Sequence, residues 1–549
     1  MRIGEAIGII CSVMTAPSIE SLNPEQMRQM LLALTRDMAT KDAIIQRQNH
    51  DITFKQALID KLTHEMAVLK RLKFAAQSEG FNAEQRSLLE ETIDTDLAAL
   101  AQEIEALAPA KAPAQDKQTP KRQPLPDHLP RREFVHEPES TTCRCGCQLK
   151  RIGQDVAEKL DYQPGVFTVE RHIRGKWVCG QCETLIQAPV AAHIIDKGLP
   201  TAGLLAQVLV AKFLDHLPLY RQEHIFERAG LAISRSTLAQ WVGDCGAQLQ
   251  PLVDALAAEL LSHGVLHADE TPVAMLKPAN LRDGKTHRAY LWSYCTTRFN
   301  ATQAVVFDFA DSRGGQHVRS FLGLPNADDS TDTRDTKPGW QGRLVTDDFS
   351  GYKACYAMGV TEVGCMAHAR RKFHELWVHH QSAIGEQALK LIGMLYDVER
   401  EVQVHSPEQR QAERQERSKP VADSLHQWLT QQRQKVPDGS ATARAIDYSL
   451  NRWTALTRYI DDGELPIDNN WVENQIRPIA LGRKNWLFAG SLRAGKRAAA
   501  IMSLVHSARL NGHEPYAYLK DVLERLPTLP AKRIEELLPH RWRPTGLPA

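Results

Sequence analysis

The sequence predicts a multidomain α+β protein, and three observations predict it. The chain has 549 residues, more than one domain usually holds. Its periodicity changes from helical, to a cysteine-framed module, to helical again, and then to strands alternating with helices. A proline-rich basic stretch separates the first of these regions from the rest. The predicted order is an N-terminal helical, coiled-coil region (1–107), a linker (108–138), the cysteine module (139–198) and a helix-turn-helix-like region (199–255). A mixed α/β core follows in two parts (256–376 and 463–511) around a helical insertion (377–462), and a short helical C-terminal region (512–549) closes the chain.

Hydrophobic residues make up 43% and charged residues 24%, which suits sizeable cores in a soluble chain. Net charge is only +1, so any polyanion-binding surface must come from local clustering. No apolar run reaches the roughly 18 residues of a membrane span. The opening "MRIGEAIGIICSVMTAP" has a short apolar run interrupted by Glu5 and reads as a soluble segment. The expectation is a cytoplasmic protein.

The first long helix opens at Asn23–Pro24, a cap and first-turn pair. Met38, Ile45, Ile52, Ile59 and Met66 recur every seven residues, joined late by Leu62 and Leu69. The matching earlier positions, Lys41, Gln48 and Lys55, are polar, so this is half of a coiled-coil seam and predicts self-association. The linker core, Ala108 to Arg132, holds six prolines, six Lys/Arg and two Asp, a composition for an extended tether.

Five of the ten cysteines fall between Cys143 and Cys182. Cys179 and Cys182 form a CxxC knuckle, and Cys143, Cys145 and Cys147 offer its other half across an alternating, strand-like run (Val166, Thr168, Glu170, His172). Four thiolates at this spacing suit one structural Zn²⁺. The expected ligands are Cys143, Cys145, Cys179 and Cys182, with Cys147 as an alternative. Next, "PLYRQEHIFERAG" reads as a helix broken at Gly230, and Ser234 caps a second helix. Helix, tight turn, helix is the shape of a helix-turn-helix, with Arg235, Ser236 and Thr237 opening the recognition helix. A plain helical hairpin has the same pattern.

After Gly264 the runs "GVLHADETPVAM", "RAYLWSYCTT" and "AVVFDFADS" read as strands, followed by helix, strand, helix, strand, helix. Three antiparallel strands and then alternating units predict a mixed sheet of ribonuclease-H-like order. Asp269 is expected at the end of the first strand and Asp347 at the end of the fourth, on neighbouring strands. Adjacent carboxylates repel unless a cation lies between them, and Mg²⁺ prefers such oxygen donors. Glu473 lies in "LPIDNNWVENQIRPIALGRKNWLFAGS", with Asp468 as the expected cap. Asn469, Glu473 and Arg477 share one helix face, Val472 and Ile476 form the apolar stripe, and Pro478 is expected to end or kink the helix. Seven Lys/Arg and no acid follow from Arg477 to Arg509, a candidate floor for DNA phosphates.

"HADETPV", "LVTDDFSGY", "GCMAHARRKFHEL" and "LPIDNNWVENQIRPIALGRKNWLFAGS" together resemble the core motifs of DDE transposases of the insertion sequence 66 family. The cysteine module, "HLPLYRQEHIFERAGLAISRSTLAQWV" and "PYAYLKDVL" resemble the same family, from about Arg71 to near the C-terminus. The CxCxC half of the module departs from the family's usual CxxC, and Asp348 stands where relatives often carry Gly. The resemblance implies that Asp269, Asp347 and Glu473 are the catalytic triad and hold two Mg²⁺ (or Mn²⁺) ions. These would drive in-line phosphoryl transfer that cuts transposon ends and joins them to target DNA. The implied partners are double-stranded DNA (terminal inverted repeats and target), further copies of the chain, and small accessory proteins of the same element. The implied location is the nucleoid. Arg477, Arg483 and Lys484 are expected on phosphates, and His368 near the scissile phosphate. Two other classes fit parts of the sequence: a non-catalytic zinc and helix-turn-helix regulator, and a ribonuclease-H-like nuclease without strand transfer.

Overall fold

The computed structural model describes residues 24–75, 83–107, 125, 127, 129–138, 140–142, 147–163, 165–190, 192–195, 198–277, 286–326 and 339–544. The described residues of 1–67 and 104–114 form one compact unit, and those of 68–103 and 115–549 form the other.

The first unit is built on α1 (Pro24–Ala75), a 52-residue helix whose last residues belong to the second unit. Its heptad positions Met38, Ile45 and Ile52 are exposed, whereas Leu62 is buried. The early seam is therefore open along its length, as its polar companion positions require.

In the second unit, α2 (Ala83–Leu107), whose last residues belong to the first, buries Ile93, Ala99 and Leu100, and with them Glu91 and Asp96. A four-stranded sheet follows: β1 (Arg131–His136), β2 (Leu149–Gln163), β3 (Val166–Cys179) and β4 (Leu185–Gln187), in the order β1-β3-β2 with β4 also on β3. β2 and β3 form an antiparallel hairpin turned at Gly165, whose φ of +84° suits a residue without a Cβ. β1 runs parallel to β3, so the segment from Arg131, at the end of the expected tether, is strand.

Helices α3 (Ala202–Phe213), α4 (Leu219–Arg228) and α5 (Arg235–Leu261) come next. Gly230 (φ +92°) breaks the chain after α4, and Ser234 Oγ accepts the Thr237 N–H at 3.2 Å to cap α5. α5 then runs for 27 residues, because Leu238, Val242, Leu249, Leu252, Leu256 and Leu260 keep one face in the main core.

The second sheet contains β5 (Val265–Leu276), β6 (Thr286–Thr296), β7 (Val305–Ala310), β8 (Arg343–Val345) and β9 (Thr361–Val363). Helices α6 (Gly315–Phe321) and α7 (Lys353–Ala357) make its crossovers, and α8 (Met366–His380) leaves it. The order is β7-β6-β5-β8-β9: antiparallel through β5, parallel from β5 to β9. This is the element order expected from the sequence, and β5 and β8 are neighbours. The insertion is helical: α9 (Ala383–Val402), α10 (Pro407–Glu413), a π turn (Arg414–Ser418), α11 (Lys419–Arg433), α12 (Ala441–Asn451) and α13 (Trp453–Asp461).

The chain returns to the core as α14 (Asn470–Trp486), α15 (Leu492–Leu510) and α16 (Pro515–Arg525). Ser503 and Ser507 of α15 accept the Phe307 and Val305 N–H groups at 2.8 and 3.0 Å, so the β7 edge is covered. α14 continues through Pro478 instead of ending there. Pro478 removes one helical bond, but Val472, Ile476 and Ile479 stay buried on one stripe and hold the axis. Among the described residues no helix is long and apolar enough to cross a membrane.

Candidate active site

Asp269 does not end its strand. β5 continues seven residues further because it stays paired with β6 to Leu276. What ends near Asp269 is the parallel pairing with β8, whose last partners are His267 and Val345. Two residues further along both strands, that register sets Asp269 level with Asp347, and adjacent strands lie about 4.8 Å apart.

The electrostatics agree with this placement. The Asp269 carboxyl is pushed well above the usual carboxylate range, first by burial, then by Glu270, and further by Glu473 and Asp347. The Glu270 N–H, donating to Asp269 Oδ1 at 2.9 Å, opposes the rise. Asp347 Oδ1 accepts the Phe349 N–H at 2.9 Å. Asp348 turns away to Arg452, 3.3 Å off. The adjacent acids therefore part company: Asp347 bears on Asp269, and Asp348 is matched by a cation.

Glu473 sits in the first turn of α14, about a quarter exposed, with His368 Nε2 3.9 Å from its Oε1. Burial lowers the His368 pKa and Glu473 opposes the shift. Arg477, one turn on, is exposed and makes no ion pair with Glu473 among the described residues. The cap is Asn469, not Asp468, and its side chain does not serve the helix. Asp468 accepts the Asn470 N–H at 3.1 Å and the Tyr396 hydroxyl at 2.9 Å. The fully buried Asn469 donates Nδ2–H to the Ala268 carbonyl at 2.9 Å and lies 2.7 Å from His267 Nδ1 through Oδ1. That orientation makes Nδ1 of His267 the protonated nitrogen. The Asn469 N–H also reaches Cys365 Sγ at 3.2 Å, at the start of α8. One residue thus joins the strand of Asp269, the helix of His368 and the helix of Glu473.

Sequence reasoning missed Glu270. Its carboxylate is almost fully buried, accepts the Tyr352 hydroxyl at 2.7 Å and is held by both Nε and Nη2 of Arg313. Arg313 in turn lies 3.8 Å over the Phe349 ring. The signal was present as a second acid directly after Asp269, within an otherwise largely apolar run.

The expected basic floor is divided. Arg497 and Arg493 are taken by Asp96 and Glu103 of α2, at 2.9 and 2.5 Å. Arg497 is buried, so this part of the run is interior rather than DNA floor. Arg483 donates to Thr271 Oγ1 at 3.2 Å and to the Pro272 carbonyl, stapling α14 to β5. Lys484 is exposed, like Arg477. On α5, the Thr237 N–H and hydroxyl are both bonded to Ser234, at 3.2 and 2.8 Å, Ser236 is exposed, and the Arg235 N–H is held by Glu223 Oε1 at 2.9 Å.

In the cysteine module, pairing of Leu149 with Cys179 brings Cys147 to the CxxC knuckle, where its Sγ lies 2.8 Å from Gln181 Oε1. Cys147, Cys179 and Cys182 are in no disulfide. Cys143 and Cys145 lie outside the described residues. Cys147, the alternative ligand, thus stands at the same hairpin end as Cys179 and Cys182, and thiols are donors that Zn²⁺ favours. Among the described residues, no group of three or more His, Cys, Asp or Glu side chains stands close enough to hold a metal ion.

Comparison with known proteins follows the same layout. The family model for the transposase IS66 family matches residues 197–497, and that for the IS66 C-terminal element matches 503–540. The models "transposase C of IS166 homeodomain" and "zinc-finger binding domain of transposase IS66" match 61–134 and 140–183. Among curated proteins, uncharacterized protein y4qI of Sinorhizobium fredii is 34% identical over 95% of this chain and 98% of its own. Uncharacterized protein y4hP of the same organism is 36% identical over 78% of each. No solved structure matches the chain. A family model spanning the core, with the flanking models in register, shows that the chain belongs to the IS66 transposase family.

Proposed function

We propose that this protein is a DDE-type transposase with a ribonuclease-H-like core, cutting transposon ends and joining them to target DNA through Asp269, Asp347 and Glu473. The observation that carries the reading is the charge conflict at Asp269. A buried carboxylate that feels three other acids is costly in its charged form, and a hard cation removes that cost. The donors suit Mg²⁺ or Mn²⁺ in chemistry and charge, and the three acids, which do not stand close enough to hold an ion as they are, would draw together around it. When bound, two such ions supply Lewis-acid stabilisation of the attacking and leaving oxygens.

The chain's own residues prepare that site. Asn469 fixes the strand of Asp269 against the helix of Glu473. Asp348, paired with Arg452, stays out of the ligand set. Glu270 holds Arg313, and His368 stands beside Glu473, where it would reach a phosphate at the acids. The cysteine module, with its Zn²⁺, and α5 would bind the terminal repeats, and the exposed seam of α1 would pair copies of the chain.

The test is a cleavage and strand-transfer assay on repeat-ended DNA with Mg²⁺ or Mn²⁺. Asp269→Asn should abolish both steps while end binding persists. Full activity in that variant would remove the triad assignment. End binding with no cutting by the unaltered protein would favour a DNA-binding regulator.

A further inference from the structure

A groove opens beside the acids, between the Asp347–Tyr352 segment and α8. Arg313, Asp347 and Phe349 line one wall, and His368, Arg371 and Lys372 line the other. Most charges around it are already matched: Glu270 holds Arg313, and Arg452 holds Asp348. Arg371 and Lys372 are not. Among the described residues neither makes an ion pair, although Glu375, also in the groove, is one helical turn from both. Arg371 is exposed, and the Lys372 ammonium is held in the groove 4.4 Å over the Tyr448 ring.

We infer that this groove seats the sugar–phosphate backbone of the DNA strand being cut, with Arg371 and Lys372 as its phosphate contacts. Asp347 marks the inner end, where the scissile phosphate meets the acids, and Glu375 marks the outer end. From His368 to Glu375 the helix rises about 10 Å, which spans about three nucleotides at the 3.4 Å rise of one strand. Arg371 and Lys372 are consecutive, so their side chains leave the helix about 100° apart and can meet two different phosphates. The inference rests on the proposed DNA-cutting reading and moves its phosphate contacts to α8 from the C-terminal basic run, whose Arg493 and Arg497 are paired with α2.

The experiment is fluorescence anisotropy of the full-length protein with a fluorescein-labelled, random-sequence DNA duplex carrying a 3′ overhang. Ca²⁺ replaces Mg²⁺, and salt is varied. Arg371→Ala and Lys372→Ala should each lower the slope of log K against log salt by about 0.9, and the double variant by about 1.8. Arg371→Lys should restore the slope, and Glu375→Gln should tighten binding by removing a repelling charge. Arg370→Ala, exposed on α8 but outside the groove, should match the unaltered protein. Unchanged slopes in Arg371→Ala and Lys372→Ala, or an equal loss in Arg370→Ala, would overturn the inference. Because no cutting is needed, the readout is separate from the reaction. Lost slopes together with an inert protein in Mg²⁺ would keep the groove and sink the transposition reading.

Discussion

The segment leading to Glu473 hangs on one buried arginine, and removing it should unfasten the site. Arg414 is fully buried and Glu399 nearly so. Nε and Nη2 of Arg414 grip the two Glu399 oxygens at 2.7 and 2.6 Å. Nη1 donates to the carbonyls of Tyr459, Leu465 and Asp462 at 2.8, 2.9 and 3.1 Å. Those carbonyls belong to the end of α13 and the turn before α14. Arg414→Met strands a buried carboxylate, at a cost of roughly 3–5 kcal/mol. Replacing Glu399 as well, in Arg414→Met/Glu399→Leu, removes that charge. What remains is the loss of a donor at Tyr459 and Leu465, roughly 1 kcal/mol each, since Asp462 O keeps the Leu465 N–H at 3.2 Å. Both variants share that loss, so the double variant should be more stable than the single one by the cost of the stranded charge, roughly 3–5 kcal/mol. Guanidinium unfolding followed by tryptophan fluorescence reads this directly, as Trp428 and Trp453 lie in the insertion. A double variant no more stable than Arg414→Met, or a single variant costing under about 1 kcal/mol, would refute the reasoning.

Other outcomes follow from the same structure. Mg²⁺ or Mn²⁺ should raise the melting temperature of the unaltered protein over its value in EDTA, and Asp269→Asn should melt higher than the unaltered protein in EDTA but gain less from the ion; equal melts with and without metal would count against the site. His506 is buried against Phe307 and its pKa falls to about 3, chiefly through burial. The unfolded chain binds that proton first, so stability is complete above pH 6.5 and is lost as pH falls toward 3; the loss is about 2 kcal/mol by pH 5, and His506→Leu should flatten this limb of a pH-dependent unfolding series. Zinc chelation, or Cys179→Ser, should make the β1–β4 module protease-sensitive while the second sheet stays protected, as limited proteolysis would show. Ile45→Glu with Ile52→Glu should convert the protein to monomers in light scattering if α1 pairs copies.

How much of this could be read from residues alone depended on the range of the interaction. The order of the second sheet was readable, because strand alternation and turn residues are local, and with it the adjacency of the Asp269 and Asp347 strands. The length of β5 was not, since only its partner β6 keeps it extended past the acid. Alternation assigns Glu270 to the face opposite Asp269, and nothing local says that Arg313 and Tyr352 wait there. Pro478 read as a helix end because propensity is local, while the packing that overrides it is not.

The basic run shows the same limit and also where the site's charge comes from. Its arginines at 493 and 497 meet acids of α2 about four hundred residues earlier, so a patch along the sequence becomes ion pairs in space. Among the described residues, Arg371, Lys372 and Arg477 make no ion pair, and they stand on α8 and α14 within two turns of His368 or Glu473. Those two helices begin at Cys365 and Asn469, which are bonded to each other, and Asn469 is bonded in turn to the strand of Asp269. Under the proposed reading, a helix start that carries a candidate metal-binding acid and presents cations one or two turns on can place phosphate and metal together only if the starts are fixed. The buried Asn469 does that fixing, so the lone Glu473 among three asparagines is positioned by one of them.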